Sequence, residues 1–368
     1  MHKYAILYNP GHNRVYFRQS MRMAASELAI ASDRIGARLS GVENESIAGI
    51  DYLTFAADAA LCGDEIKIIS ELSFTYALFE LIDADALTVA GGTTVPNGAG
   101  PGAGVFYLAP IKKTSDCFID ESVSTILKYT GKTNEIFTRM LINAAFYSQG
   151  RTNGIKLLDP VAGKCTTLFE GLIRGFDVYG IEIGDKAATE AYHYLKKFLE
   201  TEKYKHNSET LKISGPDKSF KSIKYAFEIA KTKDDQKEKN TRTVEIISGN
   251  SVNAGAYYKK NTFDLIVGDL PYGVQHGNVT NQKRASPTRN PAELLEACLP
   301  AWAGVLKPGG AMALSWNTHV LRRGDAAQIC ARHGLAVRDG ASYQGFAHRV
   351  DQSIARDVIV AVKPCSKA

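Results

Sequence analysis

The chain is poor in several features that would assign it to a large functional class. Its six cysteines, Cys62, Cys117, Cys165, Cys298, Cys330 and Cys365, are far apart, and none forms a Cys-x-x-Cys pair. A disulfide framework or a thiolate zinc site needs closer spacing. Neither is expected, no metal site is predicted, and a reducing cytoplasm is the expected location. No run of about 18 apolar residues exists, the length that a membrane-spanning helix requires. The apolar part of Met1–Pro10 is too short for a secretory signal and reads as a strand ended by proline.

Charge of one sign is also scarce, with a formal net value of only +5. Its location is more informative than its size. Between Lys196 and Arg242 there are 13 Lys/Arg and 8 Asp/Glu, and the rest of the chain holds 31 of each. The whole excess therefore lies in one segment. That segment reads either as a solvated helix face with a loop, or as a contact surface for a polyanion such as RNA, because phosphate attraction needs clustered Lys and Arg.

With 368 residues, 45% of them hydrophobic, the chain can fill a substantial core and is expected to form two domains. The expected division is an N-terminal α/β domain over 1–113, a helical connector over 114–150 that packs on the second domain, and a C-terminal domain over 151–368 with a charged insertion at 196–242. In the first domain, Tyr4–Tyr8 and Asp64–Ser70 read as strands, and Ser20–Ala31 and Phe74–Leu81 as helices. Gly91–Gly104 is rich in glycine and proline. It reads as a plain loop or a phosphate cradle, although no strand-glycine-helix spacing supports the cradle. Glu135–Phe146 is helical in pattern.

From Ile155 onward strand and helix signals alternate. Strands are expected at Ile155–Leu158, Val178–Ile183, Val244–Ile247, Phe263–Val267 and Ala311–Trp316, with helices at Thr166–Arg174, Lys186–Glu202, Pro291–Val305 and Asp325–His333. Such alternation implies βαβ units and a mostly parallel sheet. Tyr343–Phe346 and Arg356–Val362 read as two late strands forming an antiparallel pair.

The turn after the first of these strands, Asp159-Pro160-Val161-Ala162-Gly163-Lys164-Cys165-Thr166, has small residues that let a ligand approach the backbone. It is not a P-loop, since Leu158 stands where the first glycine is needed and Cys165 follows the lysine. It is a poor dinucleotide fingerprint, with one glycine where three are required. The pattern it does fit is an S-adenosylmethionine site: Asp159 at one strand end, near the methionine amino group, and Glu182 at the next, accepting from both ribose hydroxyls. Pro160, Ala162 and Gly163 would form the turn against the cofactor, Ile183 would cover the adenine face, and Asn250 would meet its edge.

At the end of the fourth strand stands Asp269-Leu270-Pro271-Tyr272-Gly273. In open α/β sheets, ligands bind at the strands' carboxyl ends. Together, Asp159-Pro160-Val161-Ala162-Gly163 and Asp269-Leu270-Pro271-Tyr272 resemble the Asp-Pro-x-x-Gly cofactor motif and the Asp/Asn-Pro-Pro-Tyr catalytic motif of Rossmann-like, S-adenosylmethionine-dependent amino-methyltransferases. Within that class the pentad, followed by Val274, is most similar to the tRNA guanosine-N2 methyltransferases, which are usually associated with a THUMP RNA-binding domain. The resemblance spans roughly 135–363. It departs from the family at two positions: Cys165 replaces a glycine, and Leu270 replaces the first of two prolines.

The resemblance implies a mostly parallel seven-stranded sheet with an antiparallel edge pair, S-adenosylmethionine as cofactor, and tRNA as substrate. Asp269 and the Leu270 carbonyl would accept the two hydrogens of an exocyclic amine, Pro271 would stiffen the turn, and Tyr272 would stack on the base beside Gly273. Lys283, Arg284 and Arg289, in the polar stretch 275–289, belong to a substrate loop or to an ordinary surface loop. His276, in that stretch, reads as surface polarity. Trp316–His319, at the end of the fifth strand, is a further pocket candidate. Two other functions stay open: a DNA adenine-N6 or cytosine-N4 methyltransferase, and an RNA-binding protein with a degenerate cofactor site. The sequence leaves the oligomeric state undetermined.

Overall fold

The computed structural model describes residues 1–11, 14–83, 106–125, 133–271, 290–350 and 352–365. The chain divides into two compact units, Met1–Ser115 and Asp116–Ala368. The expected connector helix thus falls within the second unit.

In the first unit, β1 (His2–Tyr8) is followed by α1 (Arg14–Ala31), β2 (Leu39–Ile47), β3 (Ile50–Ala57), α2 (Gly63–Ser70), β4 (Thr75–Asp83) and β5 (Phe106–Ile111). The sheet order is β2-β3-β1-β4-β5, and every neighbouring pair is antiparallel. Ile6 lies opposite Leu53 and Leu78, and Tyr4 opposite Phe55, with the two rings stacked at 5.4 Å. All five are buried, and each such side chain contributes on the order of 1.5–3 kcal/mol by leaving water.

Two sequence expectations are reversed here. Asp64–Ser70 is helix α2 and not a strand. Its start is fixed by a capping box in which the Cys62 N–H donates to Glu65 at 2.8 Å, and buried Glu65 also accepts from the Ala37 N–H. Ile66, Ile68 and Ile69 form too short a pattern to outweigh that local cap. Phe74–Leu81 is largely strand β4 and not a helix, because pairing with β1 and β5 overrides a weak helical period. The loop 91–104 lies outside the described residues.

In the second unit, a single helical turn at Ser122–Thr125 precedes α3 (Glu135–Tyr147). Then follow β6 (Lys156–Asp159), α4 (Thr166–Ile173), β7 (Asp177–Glu182), α5 (Asp185–Thr201), β8 (Lys205–Ser214), β9 (Lys221–Ala230), β10 (Arg242–Ser248), β11 (Phe263–Asp269), α6 (Pro291–Val305), β12 (Leu306–Asn317), α7 (Arg323–Arg332), β13 (Ala336–Val337), β14 (His348–Arg349) and β15 (Ala355–Val362). The sheet runs β13-β15-β12-β11-β6-β7-β10-β9-β8, with β14 also on β15. Strands β12, β11, β6, β7 and β10 are mutually parallel, and β15 is antiparallel to β12. This is a doubly wound, Rossmann-like α/β sheet. The chain leaves β6 first toward β7 and β10, and returns to fill β11 on its other side. The switch point therefore lies between β6 and β11.

The residues of β11 from Phe263 to Val267 are all almost fully buried, as expected of a strand covered on both faces. Two local expectations differ from the fold. Residues 341–343 form a 3₁₀ turn, so Tyr343–Phe346 is not a strand, and β15 pairs with β12, β13 and β14. The segment 196–242 holds the end of α5 and a two-stranded hairpin, β8–β9, that extends the sheet beyond β10. The hairpin adds strands to the seven expected. Tyr225 and Phe227 of β9 pack on Tyr192 of α5, with ring centroids 4.7 and 5.1 Å apart. Among the described residues, no helix is long and apolar enough to cross a membrane.

Candidate active site at the carboxyl edge of the sheet

Asp159 ends β6 and is buried, with one oxygen accepting from the Val161 N–H at 2.9 Å. The turn it begins docks onto β7: the Ala162 N–H donates to the Ile181 carbonyl at 2.9 Å, and the Gly163 N–H to Glu182 Oε2 at 2.8 Å. The docking requires a bare backbone beneath, since a Cβ on Gly180 would lie 2.9 Å from that of Ala162. Buried Pro160 completes the turn. Cys165 has φ 69°, a left-handed conformation suited to glycine. The residue at which the sequence departs from the family motif thus keeps a glycine-like backbone. Lys164 pairs with Glu190 at 2.9 Å.

Glu182 ends β7 half-buried, and its second oxygen accepts from the Gly184 N–H at 2.7 Å. Both oxygens are oriented by backbone, yet a carboxylate has further lone pairs for a ligand's hydroxyls. The next residue, Ile183, is 50% exposed, and Val252 beyond the end of β10 is 37% exposed. Val252 has no counterpart in the sequence reading; an apolar residue two positions after Asn250 was its only available signal. The Asn250 side-chain oxygen accepts from the Val252 N–H at 3.1 Å, capping the turn Ser251–Asn253. The Asn250 amide nitrogen and the oxygen's second lone pair could both meet a ligand's edge.

Burial pushes the Asp159 carboxyl up to about 7, opposed by hydrogen bonds from Thr167 and Val161 and reinforced by the negative charges of Asp269 and Glu182. Burial also raises Glu182, against the pull of the Gly184 and Gly163 amides. Removing acids from water in one place favours their neutral forms. Such a group is suited to a cationic ligand, which would restore the charged state.

Asp269 ends β11, across the switch point from Asp159. One oxygen accepts a short hydrogen bond from the Ser315 hydroxyl on β12, and the other accepts from Thr133 at 2.8 Å. The Arg356 guanidinium on β15 lies 3.3 Å away. The carboxyl side chain keeps 14% of its exposure. Leu270 is buried in the core, and its N–H donates to the Ser315 carbonyl at 2.8 Å. A proline cannot make that bond, so a ladder bond supports the turn where the family motif has a ring. Pro271 is exposed. Tyr272, Gly273, His276, Lys283, Arg284 and Arg289 lie outside the described residues.

The fold thus brings Asp159, Glu182, Ile183, Asn250 and Asp269 to the carboxyl ends of four strands. Sequence reasoning misses Thr133, Ser315 and Arg356, which reach Asp269 from outside its motif. It also overreads Trp316–His319. Trp316 is fully buried with its N–H on the Leu321 carbonyl, and Asn317 is tied to the backbone at Ser353 and Ala355. The neighbouring Ser315 is the one that meets Asp269.

Compared with family models and with curated protein sequences, the chain matches none of either. Among solved structures it is similar to TrmN from Thermus thermophilus at 13% identity and a TM-score of 0.44, covering 99% of this chain and 100% of that one. A TehB-like SAM-dependent methyltransferase from Corynebacterium glutamicum is 16% identical with a TM-score of 0.34, covering 61% of this chain and 85% of that one. A SAM-dependent methyltransferase from Aquifex aeolicus is 13% identical with a TM-score of 0.35, covering 67% and 99%. Similarity at this level assigns no activity to this chain.

Proposed function

We propose that the protein is an S-adenosylmethionine-dependent N-methyltransferase acting on an exocyclic amine of RNA, most specifically guanosine N2 in tRNA. The observation that carries this reading is the meeting of Asp159, Glu182 and Asp269 on neighbouring strand ends around the switch point. The donor set suits this cofactor. Buried Asp159 would face an ammonium, Glu182 a pair of hydroxyls, and the exposed side chain of Ile183 an adenine ring. When bound, S-adenosylmethionine supplies an electrophilic methyl group on a sulfonium.

The chain's own residues would do the rest by holding. An exocyclic amine is a poor nucleophile because its lone pair is delocalised into the ring, so orientation is the main lever, worth many orders of magnitude. Asp269 would accept one N–H and the Leu270 carbonyl the other, favouring a pyramidal nitrogen. Tyr272 would stack on a base that is single-stranded or turned out of its helix. No strong base is needed, since the methylated ammonium is itself acidic.

Support for a nucleic-acid substrate comes from the hairpin. Ile223 of β9 lies opposite Ser248 at the carboxyl end of β10, so the β8–β9 turn lies at the same edge as the three acids. Phe220 packs edge-on against Tyr257 at 5.1 Å, and exposed Lys212, Lys218 and Lys221 surround the turn. Changing these lysines to glutamine is expected to weaken RNA binding and to lower its logarithmic salt slope by about 1 for each phosphate that is no longer neutralised. The first unit is assigned a role in placing RNA.

The deciding experiment incubates the protein with unmodified tRNA and labelled S-adenosylmethionine and identifies the nucleoside formed. N2-methylguanosine is expected. Transfer to duplex DNA alone would favour adenine-N6 or cytosine-N4 chemistry. Absence of cofactor binding by calorimetry would favour a degenerate site.

A further inference from the structure

The Asp269 carboxylate has a guanidinium beside it that no motif contains. Arg356 stands near the start of β15, opposite Asn317 of β12 and His348 of β14. Because β15 runs against its neighbours, its first residues reach the carboxyl edge. The Arg356 side chain is only 7% exposed, and its guanidinium is held between two partners: Asp269 at 3.3 Å and the Phe137 ring of α3, whose centroid is 4.4 Å away. Phe137 is fully buried and also meets the His348 ring at 5.2 Å. A planar cation stacked on an immobile ring has few orientations left.

We infer that Arg356 is the positioning residue for Asp269, supplying its counter-charge and, with Thr133 and Ser315, fixing the direction of its carboxylate. The consequence for methyl transfer rests on the function proposed above, whereas the pairing itself does not. Arg356 on β15, His348 on β14 and Asp159 on β6 are charged or titratable groups that face Asp269. Burial, aided by Arg356, pushes His348 down to about 4, so it is neutral near pH 7. Asp159 is a like charge when ionised. Of these groups, Arg356 alone is cationic at neutral pH.

The carboxylate would serve as an acceptor for an amine N–H, so both its charge and its direction matter. Removing an adjacent cation disfavours the charged form of a carboxyl. The test uses the full chain with Arg356→Met and Arg356→Lys. Carbon-13 NMR at pH 7 reads the chemical shift of the Asp269 carboxyl, assigned by its absence in Asp269→Asn, and compares it with wild type.

Arg356→Met is expected to move that resonance away from its wild-type position, because the adjacent cation and the fixed orientation are lost together. It should also lower kcat at least tenfold with an unchanged KM for S-adenosylmethionine. Arg356→Lys keeps the charge but loses the stacked fork, so it should give a smaller shift in the same direction and partial recovery of kcat. It also serves as the probe if the methionine variant does not fold. An unchanged carboxyl resonance in the folded variants would overturn the inference, even if kcat fell. If wild-type protein transfers no methyl group to any nucleic acid, the functional reading fails, while the carboxyl resonance still decides the role of Arg356.

Discussion

Strand β11 has an aspartate at each end of its apolar run, and the two have opposite surroundings. Asp264, near the amino end, is almost fully buried. Lys307 reaches both its oxygens at 2.8 Å, Arg151 reaches one at 3.0 Å, and the Lys156 N–H donates at 2.9 Å. Asp269, at the carboxyl end, meets the Arg356 cation and the hydroxyls of Thr133 and Ser315, and it keeps partial access to solvent. A carboxylate closed in by two cations has nothing left to offer a ligand. One with an open side can still accept a hydrogen bond. Asp264 is a structural ion-pair centre, and Asp269 is a candidate working group.

The largest expected effect separates the two directly. Asp269→Ala should reduce methyl transfer by at least about a thousandfold, as loss of a group acting in the transition state does. Calorimetric binding of S-adenosylmethionine should persist, and near-normal turnover would remove Asp269 from the mechanism. Asp264→Ala should instead leave the part-buried Lys307 ammonium and the Lys156 N–H without their acceptor and cost roughly 1–3 kcal/mol of stability in urea unfolding. A drop of less than about 1 kcal/mol would show that the ion cluster is not structural.

A second contrast lies between Asp269 and its neighbour across the switch point. With its carboxyl raised to about 7 by burial, Asp159 carries a proton in the folded protein that the unfolded chain has already released. The ligand-free protein should therefore lose stability as pH rises between about 4 and 7. Affinity for a cationic cofactor should fall about tenfold per pH unit below 7, because the proton must leave first. Calorimetry across pH 5–8 reads this slope, and Asp159→Asn should flatten it.

The smallest effect concerns Cys165. Glycine there would relieve roughly 1–2 kcal/mol of left-handed strain while giving up about 1 kcal/mol of burial. Cys165→Gly should therefore change stability by less than about 1 kcal/mol, whereas Cys165→Ala keeps the strain, packs less well, and should unfold earlier in urea.

Much of the second unit is legible in the sequence because its parallel strands are short apolar runs at regular spacing. The helix Pro291–Val305 and the strand ends at Asp159, Glu182 and Asp269 follow from local pattern. The hairpin is legible too, in the alternation Ile223, Tyr225, Phe227 and Ile229, but the density of lysine around it suggests a loop. In the first unit, Asp64–Ser70 and Phe74–Leu81 mislead because seven or eight residues carry too little period to separate helix from strand.

The pentad at Asp269 and the turn at Asp159 are set by residues adjacent in the chain, so the sequence alone determined which acids stand at strand ends. Which of two aspartates on one strand stays open to a ligand was decided only by the fold. Arg151 and Lys307 converge on one end of β11, and Thr133, Ser315 and Arg356 on the other, from segments more than 30 residues away along the chain. A carboxylate's role depends on the charges and solvent within a few ångströms, and only tertiary packing brings those together.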